Sequence, residues 1–264
     1  MLEWNAKLYS RFEVERTRPA ADLLARVPLT DDAAYVVDLG CGPGNSTELL
    51  AQRFAKAHVL GIDNSQDMLV AARGRLANCR FELADVGSWQ AEKINGRLPD
   101  LIFANATLQW VPDHRQLFPR LMRMLAPGGV LAIQMPDNRE EPTHRLMRTL
   151  ASELPWVAEI GDPYAIRTDL LALDDYYDLL AGHAQVDTWR TAYQHPMDSA
   201  EAIVQWVRGT GLRPFLQPLS PELQTSFLAE YTRRIDAAYS QRSDGKRLLA
   251  FPRLFLVANV PSNS

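Results

Sequence analysis

The stretch Val36-Val37-Asp38-Leu39-Gly40-Cys41-Gly42-Pro43-Gly44-Asn45, followed by Val59-Leu60-Gly61-Ile62-Asp63, leaves the chain few ways to fold. An apolar strand runs into a glycine turn, a helix follows, and the next strand ends on an acid. A parallel α/β sheet grips a nucleoside in this way. The glycines admit positive φ and close backbone approach, and the helix after them presents unpaired N–H groups to a ligand.

The neighbours of the glycines select between nucleosides. Asp38 places a carboxylate just ahead of the turn, where it repels a pyrophosphate but attracts the ammonium and sulfonium of S-adenosyl-L-methionine. The spacing is G-x-G-x-G, whereas dinucleotide binders use G-x-G-x-x-G, since Asn45 and Ser46 follow Gly44. Asp63, an acceptor-only group at a strand end, suits ribose hydroxyls. Asp85 closes Phe81-Glu82-Leu83-Ala84-Asp85, where the next strand ends beside the adenine amino group. The expected cofactor-binding residues are Asp38, Gly40, Cys41, Gly42, Asn45, Asp63, Asn64, Met68, Asp85, Val86 and Asn105.

Alternating strand and helix patterns over residues 20–135 predict an α/β fold, a doubly wound, mostly parallel Rossmann-like sheet. Pro19 to Val27 reads as a helix opening on proline. Asn45 is expected to cap the helix after the turn, with Glu48 completing a capping box. Asp67 to Leu76 is a second helix, and Leu117, Leu121 and Leu125 mark another. Asp100 to Asn105 and Val130 to Met135 are strands four and five. Beyond residue 136 the rhythm changes. Residues 140–153 and 174–181, Ser199 to Val207, and a segment opening at Ser220-Pro221 look helical, while 185–195 and Leu248 to Val260 look like strands. The expected organisation is a cofactor-binding core with an N-terminal lid helix over 1–136, a helical cap segment over 137–184, and the last strands over 185–264 with cap helices inserted at 199–240.

A chain of 264 residues is long enough for a sizeable core. Its formal net charge of −4 argues against a nucleic-acid surface, which needs a basic face. Lys7, Lys56, Lys93 and Lys246 are the only lysines among 28 basic residues, so arginine dominates. Cys41 and Cys79 are expected to be reduced. Met1 to Lys7 carries charge where a signal peptide needs an apolar core, and no run approaches about 18 apolar residues. A cytoplasmic location without membrane contact is expected.

Further motifs are Trp4-Asn5, Glu15-Arg16-Thr17-Arg18-Pro19, Gln109-Trp110-Val111-Pro112-Asp113-His114, Gln134-Met135-Pro136-Asp137-Asn138, Glu141-Pro142-Thr143-His144, Thr210-Gly211-Leu212-Arg213-Pro214 and Ala250-Phe251-Pro252-Arg253-Leu254-Phe255. With these and the glycine turn, the chain resembles the trans-aconitate 2-methyltransferases, a family of class I methyltransferases, along almost its whole length. The resemblance implies an enzyme that esterifies one carboxylate of a tricarboxylate and releases S-adenosyl-L-homocysteine.

A carboxylate acceptor is ionised at neutral pH, with an unperturbed pKa of about 4, so no general base is expected. The enzyme must align the reactants and strip water from them. The run Asn105-Ala106-Thr107-Leu108 lacks the paired prolines of exocyclic-amine methylases, and no Pro-Cys nucleophile occurs, which excludes nucleobase substrates. No metal is expected. Asp137-Asn138 resembles a chelating pair, but strand four ends on Asn105 and Asp137 reads more simply as a turn cap. A trianion needs local donors, and arginine's fork matches a carboxylate. Arg213 leads the candidates, ahead of Arg11, Arg16, Arg18, Arg190 and Arg253; Arg16 and Arg18 alternatively pair with Glu13 or Glu15. His144 is read either as a carboxylate donor or as a helix-face residue. Tyr9 and Phe12 form a lid or anchor their helix to the core. Gln109, Trp110, Tyr176, Tyr177 and Trp206 either wall the pocket or belong to the core. The alternatives in function are a methyltransferase for another carboxylate or a hydroxyl, and a noncatalytic S-adenosylmethionine-binding protein.

Overall fold

The computed structural model describes residues 13–166 and 169–262. A seven-stranded sheet carries the fold, in the order β3-β2-β1-β4-β5-β7-β6. Its strands are β1 (Tyr35–Leu39), β2 (His58–Asp63), β3 (Arg80–Leu83), β4 (Leu101–Asn105), β5 (Val130–Pro136), β6 (Gln185–Met197) and β7 (Arg247–Asn259). The first five are parallel, while β7 runs antiparallel to β5 and to β6. β1 and β5 are buried along their whole length, which explains their unbroken apolar runs.

The helices are α1 (Glu13–Leu24), α2 (Asn45–Arg53), α3 (Gln66–Arg75), α4 (His114–Met122), α5 (Pro142–Ala151), α6 (Val157–Ile160), α7 (Leu173–Ala181), α8 (Ala200–Arg208), α9 (Arg213–Leu216) and α10 (Pro221–Ala238). One sheet face packs Leu117, Phe118, Leu121 and Tyr176, from α4 and α7. The other packs Ala20, Leu23, Leu50 and Phe54, from α1 and α2. A third apolar cluster joins α5, α8, α9 and α10 around Phe227, Tyr231 and Ile235. β6 and β7 pair from Gln185↔Asn259 to Met197↔Arg247, so the chain leaves the sheet at Met197, builds α8 to α10, and returns at Arg247.

Two expected helix starts are corrected. Pro19 lies inside α1, which is already helical at Glu13. Gly44, with φ of 94°, caps α2 in place of Asn45, so the capping box does not form; Glu48 instead meets Arg75 at 2.6 Å. Glycine has no side-chain oxygen to offer as a cap, and it takes the left-handed conformation without a Cβ clash. Ser65, Ser199 and Ser220 do cap their helices, accepting from the N–H of Met68, Ala202 and Leu223. Asp137 does not cap a turn but pairs with Arg190 at 2.7 Å. Among the described residues no helix is long and apolar enough to cross a membrane.

Candidate active site

The glycine turn folds onto the end of β2. The N–H groups of Gly40 and Cys41 both donate to the carbonyl of Ile62, at 2.7 and 2.9 Å. Gly40, Gly42 and Gly44 all hold positive φ. Thr107 lies so close to Gly40 that a Cβ there would collide with it, whereas a Cβ on Gly42 would meet nothing within 4 Å. The backbone at Gly42 is therefore open to a ligand.

Asp63 organises this edge. Its Oδ2 accepts from Gly42 N at 2.9 Å and its Oδ1 from Ser65 N at 2.9 Å. Burial pushes its pKa up, opposed by these backbone bonds. Each oxygen keeps a further lone pair, and the carboxylate lies in the wall of a cavity of about 370 Å³. Gly40, Gly42, Asn64, Met68, Asp85, Val86, Asn105 and Trp110 share that wall. The volume lies within the range of small-molecule sites, about 300–1,000 Å³.

Other expected contacts lie elsewhere. Asp38 is fully buried behind the turn, where its Oδ2 accepts from Ser46 Oγ at 2.8 Å and Thr47 Oγ1 at 2.6 Å. Burial raises its pKa to about 6, against those two hydrogen bonds. Cys41 and Asn45 line a narrower cleft, shared with Thr17 and Ala20 of α1. Cys41 is a free buried thiol whose pKa desolvation pushes up. Gln109 is buried beneath the loop after β4, donating to Ala106 O at 2.6 Å. Tyr176 is not a pocket wall. It is fully buried on the α4 side, tilted against Phe118 and bonded to His114. Tyr177 is exposed and Trp206 buried in the cap core. Tyr9, Arg11 and Phe12 lie outside the described residues, as does the side chain of Arg16.

A second cleft continues from the main cavity past Trp110, Ile166 and Pro214, which line both. His144, Met147, Gly211 and Phe215 form its wall with two arginines, Arg139 and Arg148. Arg139 meets Asp169 at 2.5 Å, and Arg148 meets Glu140 at 2.9 Å. Both acids are largely solvent-exposed, and the guanidiniums are held further by backbone, Arg139 donating to Tyr164 O at 3.1 Å and Arg148 to Arg139 O at 2.7 Å. Sequence reasoning missed both arginines, because Arg139-Glu140-Glu141 reads as a solvated charge run. Arg213 is half-buried at the start of α9; its neighbours Gly211 and Pro214 line the cleft but it does not. Arg18 is exposed beside Asp22 and over the Tyr193 ring. Arg190 is held by Asp137. Arg253 is buried and donates to Gln134 Oε1 at 3.2 Å.

A family model described as a methyltransferase domain matches residues 30–189. A trans-aconitate 2-methyltransferase of Variovorax paradoxus is 65% identical over 259 residues, spanning 98% of this chain and 98% of that one. The chain belongs to the trans-aconitate 2-methyltransferase family. A second member, from Delftia acidovorans, is 62% identical over 266 residues, again with 98% of each chain covered. Among solved structures, the YcgJ protein of Bacillus subtilis has a TM-score of 0.56 at 14% identity, covering 93% of this chain and 99% of that chain. That likeness concerns the fold.

The cofactor of this family's chemistry can be tested against the site. Asn105 Oδ1, on the cavity wall, is a buried acceptor with no partner. Together with the carboxylates of Asp63 and Asp85 it calls for a ligand rich in donors and positive charge. S-adenosylmethionine fits, with its ammonium, sulfonium and ribose hydroxyls. A pyrophosphate does not.

Proposed function

We propose that the protein transfers a methyl group from S-adenosylmethionine to one carboxylate of trans-aconitate, giving a monomethyl ester and S-adenosylhomocysteine. The observation that carries this reading is the junction at Trp110 between the acid-walled cavity of about 370 Å³ and a narrow cleft of about 30 Å³ lined by Arg139, Arg148 and His144. A cationic cofactor and an anionic acceptor would meet at that junction. The cofactor, when bound, supplies a methyl carbon activated by positive sulfur.

The protein's own part is binding, orientation and exclusion of water. Asp63 takes ribose hydroxyls, Asp85 and Val86 face the adenine, and the open backbone at Gly42 lets the cofactor lie close. Arg139, Arg148 and His144 hold carboxylates that do not react. The acceptor carboxylate is ionised without help, so no side chain needs to take its proton. Ile166 and Pro214 at the junction keep water out, which favours a step in which opposite charges cancel.

The test is methyl transfer from labelled cofactor to a panel of di- and tricarboxylates and hydroxy acids, with product masses determined. Trans-aconitate should lead, and turnover at saturation should stay nearly flat from about pH 6 to about pH 9, unaffected by chelator. Transfer to a hydroxyl, or a steep single-proton rise across that range, would overturn the mechanism.

A further inference from the structure

Gly211 lies in the turn between α8 and α9. Its φ is outside the left-handed region, so conformational freedom does not explain a glycine there. Space does. A Cβ at this position would stand 2.8 Å from Nε2 of His144, 3.4 Å from Cδ2 and 3.8 Å from Cε1, the first well inside van der Waals contact.

The turn is held by backbone and the ring by side-chain contacts. Leu212 is fully buried, and its N–H donates to Val207 O at 2.9 Å, while Arg213 N donates to Thr210 O at 3.2 Å. The turn is thus pinned to the end of α8. On the other side, His144 Nδ1 is 3.1 Å from Thr143 Oγ1, and the ring stands edge-on to Phe251 with centroids 6.4 Å apart. Thr143 is itself buried, its carbonyl accepting from Tyr231 Oη at 3.0 Å. Elements from three parts of the chain, α5, the α8–α9 turn and β7, therefore converge on one imidazole.

We infer that Gly211 is a positioning residue for the acceptor site, its missing side chain setting where the His144 ring stands in the wall of the basic cleft. The inference rests on the reading of His144 as a carboxylate contact. A side chain at 211 pushes the ring off its hydrogen bond to Thr143 without touching the cofactor chamber. Because the obstructed atoms belong to a side-chain end, the ring moves before the fold breaks, so the consequence falls on substrate binding and only weakly on stability.

The experiment is a double-mutant cycle of Gly211→Ala and His144→Ala, reading KM and kcat for trans-aconitate, cofactor Kd by calorimetry, and Tm. Gly211→Ala alone should raise KM by about tenfold, leaving cofactor Kd within about twofold and Tm nearly unchanged. Added to His144→Ala, it should change KM by less than about twofold, since the ring it displaces is gone. A KM rise that persists without His144, or an equal loss of cofactor affinity, overturns the positioning role alone. A His144→Ala variant with wild-type KM overturns that role and the carboxylate reading together.

Discussion

Asp63 shows how one side chain can shape a loop and still serve the ligand. Its two oxygens accept from Gly42 and Ser65, and the same carboxylate faces the cavity. Asp38, one strand over, is buried out of reach behind the turn. Replacing Asp63 by asparagine preserves shape but turns one acceptor into a donor. That donor must face the N–H of either Gly42 or Ser65. Cofactor affinity should fall by roughly 1.5–3 kcal/mol, the usual worth of a hydrogen bond to a charged group. Calorimetry on the folded Asp63→Asn variant showing wild-type affinity would remove Asp63 from the ribose site.

Among the elements, α1 depends on its neighbour for its end. Arg53, in the last turn of α2, donates to the carbonyls of Leu24, Val27 and Leu29 at 2.6, 3.1 and 2.6 Å. Helix C-terminal carbonyls lack partners within the helix, and a cation among them also suits the dipole. A guanidinium spans three acceptors in fixed directions, which an ammonium cannot do. Arg53→Lys should cost roughly 1–3 kcal/mol of unfolding free energy and speed amide exchange over residues 20–30 while leaving that of α3 alone. Uniform exchange rates with unchanged stability would show that the apolar contacts of Leu23 and Phe54 suffice to dock α1.

At the scale of the whole molecule, two buried ionisable groups give stability opposite slopes over the same pH window. Burial raises Asp38 to about 6, so its contribution is present below the ordinary carboxylate value near 4 and is lost as pH rises through 6. Burial, aided by nearby Arg253, lowers His195 to about 4, so its contribution is present above about 6.5 and is lost as pH falls through 4. The two slopes offset each other in the cofactor-free protein. Relative to wild type, Asp38→Asn should therefore gain stability as pH rises from about 4 to about 6, on the order of 3 kcal/mol. His195→Phe should show the opposite tilt. Denaturation curves that shift in parallel at every pH would show that neither group titrates on its own.

What the sequence determined by itself was whatever depends on near neighbours. Glycine turns and apolar strand runs are local chemistry, and they placed β1 to β5 within a residue or two. Gly40, Gly42, Asp63, Asn64, Met68, Asp85, Val86 and Asn105 were legible for the same reason. Each sits at or just beyond a strand end, and parallel strands bring their ends to one edge. Even there, Asn45 offered a plausible cap that the positive φ of Gly44 displaced. Which residues join His144 in the basic cleft was decided only by tertiary structure. Arg139, Arg148 and His144 follow β5, while Gly211 and Pro214 arrive from helices inserted between β6 and β7. Periodicity says that a residue lies on a helix but not which distant element that helix packs against. For the same reason Tyr176 went to the core, and Arg213 stands behind its two neighbours in the wall.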